Sequence, residues 1–98
     1  MTIRKVFEEL VTATHPVAKI LHKEDNIKVF VIGFKSGMLL KEHTAHRPSK
    51  LTVLTGKVIY RQNENETILG MYDEKEIPLD VIHAVEALED SLCLLTQG

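Results

Sequence analysis

The stretch that decides the fold of this chain is KLTVLTGKVIYRQ, residues 50–62. Two runs rich in apolar and β-branched residues flank the pair Thr55-Gly56, and short runs of that kind are typical of strands. A glycine between two such runs favours a tight turn. We therefore predict two strands joined as a hairpin at Thr55-Gly56.

The segments on both sides continue this pattern of short apolar runs separated by turn residues. The further runs are VAKIL (17–21), IKVFVIGF (27–34), MLLKEH (38–43), TILGM (67–71), KEIPL (75–79), VIHAVEAL (81–88) and SLCLL (91–95). The last two runs flank a Glu-Asp pair, which predicts a final hairpin. About eight short strands with turn signals every eight to twelve residues or so indicate an antiparallel sandwich or barrel, not parallel β-α-β units.

In the N-terminal segment the apolar residues repeat with a different spacing. Apolar residues at positions 3, 6, 7, 10 and 11 form the stripe of one helix face, with charged residues on the other side. We predict a short helix over residues 3–11, and we divide the chain into an N-terminal helical segment, residues 1–15, and a β-barrel, residues 16–98. The helix covers a sheet or meets a partner chain, and nothing in it suggests catalysis.

Length and composition exclude several functions. The 98 residues suffice for a single domain, and 12 basic against 14 acidic residues leave no basic face for nucleic acid. No apolar run is long enough to span a membrane or to form a signal peptide. Cys93 is alone, which excludes an intrachain disulfide or a cysteine-based zinc site and fits a reducing compartment. We expect a cytoplasmic protein that binds neither nucleic acid nor membrane.

Two histidines three positions apart, His43 and His46, suggest a metal site. The proline at position 48 biases Arg47 away from helical dihedral angles, so this segment is predicted to be extended. On an extended strand His43 and Ala45 face one way and His46 faces the other. A bend would be needed to bring both imidazoles to one metal ion.

The spacing around His43 matches a family signature in part. Gly37 precedes His43 by five intervening residues, and Gly56 lies where the closing turn glycine of that signature belongs. Further along the chain, Pro78 and His83 keep the spacing of a second signature, with Asp80 at its glycine turn position.

These two spaced signatures make the chain resemble the small single-domain cupins, over roughly residues 27–96. The resemblance implies an all-β fold, an antiparallel jelly-roll (cupin) β-barrel with a short N-terminal helix in front, and a homodimer. It also implies a metal site in metal-dependent members, held by two histidines and a glutamate of the first signature and a histidine of the second. In this sequence Ala45 stands in place of the second histidine and Ser49 in place of the glutamate, so two of the four ligands are missing.

Two functions remain open. The first is binding of a small molecule in the barrel beside a degenerate metal site, with His43, His83, Lys41 and Tyr60 as the contacting residues. The alternative is a metal-dependent cupin enzyme of the dioxygenase or isomerase type, in which His43, His83 and His46 hold a divalent transition metal. The sequence names no substrate for either function, and it does not decide whether the protein is an enzyme.

Overall fold

The structure is a computed structural model that describes the backbone of residues 1–98 and every side chain except those of Glu42 and His43. The described backbone forms one helix and nine strands. In chain order these are α1 (Thr2–Leu10), β1 (Val17–Glu24), β2 (Ile27–Phe34), β3 (Leu39–Thr44), β4 (Ser49–Thr55), β5 (Val58–Gln62), β6 (Asn65–Leu69), β7 (Glu74–Ile77), β8 (Ile82–Ala87) and β9 (Ser91–Gln97).

The strands form two sheets that face each other. One sheet has five strands in the order β1-β2-β9-β4-β7, and the other has four in the order β3-β8-β5-β6. Every strand pairing is antiparallel. The all-β, jelly-roll barrel with a short N-terminal helix that the sequence predicted is confirmed.

The hairpin predicted at Thr55-Gly56 is wrong. The turn joins β4 of the five-stranded sheet to β5 of the four-stranded sheet, so its two strands are not paired with each other. The predicted final hairpin is wrong for the same reason, because β8 and β9 also lie in different sheets. Turn residues indicate that the chain reverses direction, but they carry no information about which strands then pair.

The β4–β5 and β8–β9 connections, which both cross between the sheets, pack against one another. Gly56 has a φ of +88° and lies so close to Ser91 that a Cβ atom at position 56 would meet the Ser91 hydroxyl and the Asp90 carbonyl. The backbone N–H of Lys57 donates a hydrogen bond to the Ser91 hydroxyl at 3.0 Å. Glycine is therefore required here by both backbone conformation and space.

The core lies between the two sheets and is formed by alternate residues of the strands. Its fully buried members include Phe34, Val53, Val58, Val85 and Cys93. Burial raises the pKa of the Cys93 thiol to about 12, because the charged thiolate is poorly solvated there.

The helix α1 packs against the outer face of the five-stranded sheet. Val6 and Leu10 are buried against Val31 and Leu92. A Cβ atom at Gly33 would lie 2.6 Å from both Val6 and Leu10, so glycine allows this close approach. The helix spans residues 2–10, close to the predicted 3–11, but only part of its apolar stripe is buried. In the described part of the chain no helix is long and apolar enough to cross a membrane.

Candidate ligand-binding site in the barrel

Polar side chains enter the barrel interior from β5. Residues on this strand alternate between the two faces of the sheet, and Val58, Tyr60 and Gln62 share the inner face. The Tyr60 side chain is fully buried, and its hydroxyl donates a hydrogen bond to Oε1 of Gln62 at 2.9 Å. Burial raises the pKa of Tyr60, so the phenol stays protonated near neutrality.

His83 lies beside this pair on the neighbouring strand β8. It is only 3% exposed, and the β5–β8 register places it opposite Gln62. Its ring is stacked on that of Tyr60, with 5.9 Å between the ring centroids and 23° between the planes. Its Nδ1 lies 3.2 Å from the carbonyl oxygen of Val81. Because a carbonyl only accepts hydrogen bonds, Nδ1 carries the proton in this contact.

A lysine faces the same interior from β7. Lys75 is paired with the buried Leu51 across the β4–β7 ladder, and directly opposed residues share a face of the sheet. The Nζ atom of Lys75 lies 5.7 Å from the centroid of the Tyr60 ring, and Thr67 is opposite Tyr60 on β6. A cavity of about 320 Å³ is lined by Tyr60, Gln62, Asn65, Glu66, Thr67 and Lys75. We call the set Tyr60, Gln62, Thr67, Lys75 and His83 the polar end of the barrel.

The two positions where metal-dependent cupins carry further ligands are buried but hold no ligand here. Ala45 packs in the core, and the buried Ser49 donates its hydroxyl hydrogen bond to the carbonyl of Arg47 at 2.9 Å. Among residues with described side chains, no three of the His, Cys, Asp or Glu type are grouped to hold a metal ion. A firmly bound transition metal generally requires three or four such ligands, so these described side chains do not fit one.

The remaining residues predicted for the site lie in different surroundings. The backbone register pairs His43 with His83 across β3 and β8, while the side chain of His43 lies outside the described residues. Lys41 is exposed on β3. The His46 side chain is 81% exposed, and its Nδ1 lies 3.2 Å from a carboxylate oxygen of Asp80. The structure therefore brings Tyr60 and His83 together, and it does not bring His46 to them.

Sequence reasoning missed Gln62, Thr67 and Lys75. The alternation of the strand could have identified Gln62, since it lies two residues beyond Tyr60 and therefore on the same face. Thr67 and Lys75 required the register of β6 on β5 and of β7 on β4, which no local pattern in the sequence indicates.

The overall structure is similar to several solved structures. A cupin superfamily protein from Desulfitobacterium hafniense DCB-2 has a TM-score of 0.79 and 17% identity, over 94% of this chain and 86% of that one. An RmlC-like cupin protein from Desulfovibrio desulfuricans has a TM-score of 0.77 and 22% identity, over 84% and 80% of the two chains. A cupin 2 conserved barrel domain protein from Leptotrichia buccalis has a TM-score of 0.78 and 27% identity, over 92% of this chain and 45% of that one.

By sequence, no protein-family model matches the chain, and no curated protein matches it. The structural likeness confirms the resemblance found in the two signatures: this chain is a small domain with the cupin fold.

Proposed function

We propose that this protein binds a small polar molecule at the polar end of its barrel, without a firmly held metal ion. The observation that carries the proposal is the convergence of five polar side chains from β5, β6, β7 and β8 around one end of the barrel interior, most of them lining a cavity of about 320 Å³. In ligand pockets a few converging polar groups fix the orientation of the bound molecule. Polar groups in an interior cost free energy that a purely structural core avoids, so their concentration at one end favours a binding role.

The substitutions at Ala45 and Ser49 support the metal-independent part of the proposal. Both positions lie in the interior, where the family's ligands would reach a metal ion. An alanine supplies no donor, and a neutral hydroxyl already bonded to the Arg47 carbonyl is a poor ligand for a transition metal.

The proposal is tested by titrating ¹⁵N-labelled protein with small polar probes, namely glycerol, acetamide, acetate and pyruvate, and recording amide chemical shifts. At least one probe should give saturable shifts at Gln62, Thr67 and Lys75, with those of Ile20 and Leu21 on the outer strand β1 unchanged. Shifts that are absent, or that are spread over β1 instead, contradict the proposal.

The second candidate is the metal-dependent cupin enzyme of the dioxygenase or isomerase type. The β3–β8 register favours it, because the positions of His43 and His83 are directly opposed. Its test is elemental analysis of protein purified without a histidine tag, comparing wild type with His83→Ala and with the control His22→Ala, in which an exposed imidazole is lost. Near-stoichiometric transition metal in wild type and His22→Ala but not in His83→Ala would replace the first proposal with this one.

We also propose that two copies associate through α1 and the edge strand β1. Phe7 and Val11 of the apolar stripe are exposed, and with Leu21 they line a surface groove of about 710 Å³. Contiguous exposed apolar surface of this kind commonly marks an interface, and β1 is one of the two edge strands of its sheet.

Light scattering after gel filtration tests this association. Leu21→Asp should convert a dimer to a monomer, whereas the control Leu39→Asp, at a similarly exposed leucine on β3, should leave the dimer intact. A monomeric wild-type protein contradicts the proposal.

A further inference from the structure

We propose that the ligand of the polar end is a small carboxylate anion, held by the ammonium group of Lys75 together with donors from Gln62 and Thr67. This inference rests on the proposed binding function and adds the chemical class of the ligand. Three observations carry it: the charge of the cavity, the direction of its hydrogen-bond donors and its size.

The charge of the cavity comes from Lys75. Its neighbours Glu74 and Glu76 lie on the opposite face of β7, where their carboxylates are 3.7 and 3.6 Å from Nζ of Lys50. Among residues with described side chains, Lys75 itself forms no ion pair. A lysine that is half-buried beside an aromatic ring and faces the interior creates a positive potential there, because burial reduces screening by water.

The carboxylate in the cavity lining does not cancel this charge. Glu66 is bonded to Arg61, with 2.6 Å between its Oε2 and the guanidinium Nε. Arg61 also donates a hydrogen bond to Glu86 at 2.8 Å, so Glu66 belongs to a cluster of charges on the outer face of the four-stranded sheet. Apart from Lys75 and Glu66, the described side chains in the lining are neutral. The positive charge of the cavity is therefore matched best by an anionic ligand.

The hydrogen-bond donors also favour an acceptor-only ligand. The Tyr60 hydroxyl donates to the Oε1 atom of Gln62, so this bond uses the acceptor of the Gln62 amide and leaves its N–H donors for a ligand in the cavity that Gln62 lines. The Thr67 hydroxyl and the Lys75 ammonium supply further donors. An ionised carboxylate only accepts hydrogen bonds, and its bonds to an ammonium group are the stronger, charge-assisted kind.

The charge and the volume of the cavity restrict the class of ligand further. One lysine, with no described arginine facing the cavity, matches a single negative charge better than a doubly charged phosphate, for which planar arginine pairs are the common partner. A cavity of about 320 Å³ lies at the lower end of the range for ligand sites. The structure thus assigns a monocarboxylate of a few carbon atoms to the polar end.

The experiment compares pyruvate, pyruvamide and inorganic phosphate as probes, with chemical-shift titrations on the full chain. The variants are Lys75→Gln and the matched control Lys50→Gln, which removes the same charge from the outer face of the neighbouring strand. We expect pyruvate to shift the resonances of Gln62 and Thr67, with an affinity about tenfold or more above those of pyruvamide and phosphate. Lys75→Gln should lower the pyruvate affinity about tenfold, and Lys50→Gln should change it less than about twofold.

Each of the other possible outcomes contradicts either the ligand assignment or the proposed binding function itself. If pyruvamide binds the cavity as well as pyruvate, or Lys75→Gln binds pyruvate as wild type does, the anion assignment fails while the binding function stands. If phosphate binds more tightly than pyruvate at the same residues, the ligand is an anion but not a carboxylate, and this inference is wrong. If no charged or neutral probe shifts Gln62 and Thr67, the proposed function fails as well.

Discussion

The two ends of the barrel interior have the same backbone architecture and opposite chemistry. Val58 and Ala87 pair across β5 and β8 at one end, with Phe34, Val53 and Leu69 around them, and all five are buried. Four residues along the same pair of strands, Gln62 and His83 are opposed and the polar end begins. The polar end combines its polar side chains with buried apolar ones such as Leu51. We therefore expect substitutions at the apolar end to cost the most stability and those at the polar end to affect binding. The following predictions test this division.

The largest effect is expected from truncating a side chain at the apolar end. Leu69 is 4% exposed, and Leu69→Ala should lower the free energy of unfolding by about 2–5 kcal/mol, because it removes buried methyl groups and leaves a cavity. Denaturation with urea measures the loss. The control Leu79→Ala removes the same atoms from a side chain that is 50% exposed, and it should cost less than about 1 kcal/mol. Equal losses in the two variants would contradict the division.

A second effect concerns the turn that joins the two sheets at the apolar end. Gly56→Ala should destabilise the protein by about 2 kcal/mol or more, since alanine is strained at positive φ and its Cβ would overlap the β8–β9 turn. Gly37→Ala separates the two causes, because Gly37 has a φ of +87° but open space around its Cβ position. Its cost should be about 1 kcal/mol, from backbone strain alone. Thermal or urea unfolding of both variants measures the difference, and equal costs would show that the packing of the turns is unimportant.

The buried Cys93 thiol should make the stability of the protein depend on pH. The pKa of Cys93 is raised from 9.0 to about 12 in the folded state, so above pH 9 the unfolded chain loses a proton that the folded chain keeps. The contribution of this thiol to the free energy of unfolding is fully present below pH 9. It is lost as the pH rises towards 12, by up to about 1.4 kcal/mol per pH unit.

Cys93→Ala should remove this contribution. Between pH 8 and pH 10 the free energy of unfolding of wild type should therefore fall by about 1 kcal/mol more than that of the variant, as measured with urea. The raised pKa of Tyr60 acts in the same direction and remains in both proteins. Parallel curves for the two proteins would contradict the assignment of the effect to Cys93.

The smallest effect on stability is expected at the polar end. Tyr60→Phe keeps the ring on His83 and removes the hydroxyl that bonds Gln62, which should cost about 1 kcal/mol in urea unfolding. The same variant frees the Gln62 amide to rotate, so the affinity of the variant for a bound probe should also fall, about threefold or more. If Tyr60→Phe loses as much stability as Leu69→Ala and still binds the probe as wild type does, Tyr60 contributes to the stability of the fold and not to ligand binding.

The fold was largely predictable because its signals are local. Short alternating strands, the glycines at 37 and 56 and the spacing of Pro78 and His83 together indicated the barrel. Asp80 has a φ of +57°, as expected of a residue at a glycine turn position. The helix was predicted to within one residue at each end. The two hairpins were predicted wrongly, because a turn signal is the same whether the next strand pairs with the last one or crosses to the other sheet.

The candidate site was predictable only in part. Alternation identifies Tyr60, and the family spacing identifies His83, but nothing in the sequence places these two rings against each other. Lys75 lies between two glutamates in a strand of four residues, so nothing in the local sequence distinguishes it from an exposed charge.

By itself, the sequence determined that this chain forms an antiparallel barrel with cupin signatures from which two metal ligands are missing, because strand period, turn residues and motif spacing are properties of neighbouring residues. The tertiary structure decided which strands share a sheet and which polar side chains meet at one end of the interior. Those choices depend on register between strands that are distant in sequence, and on the close packing that brings Tyr60, His83 and Lys75 together.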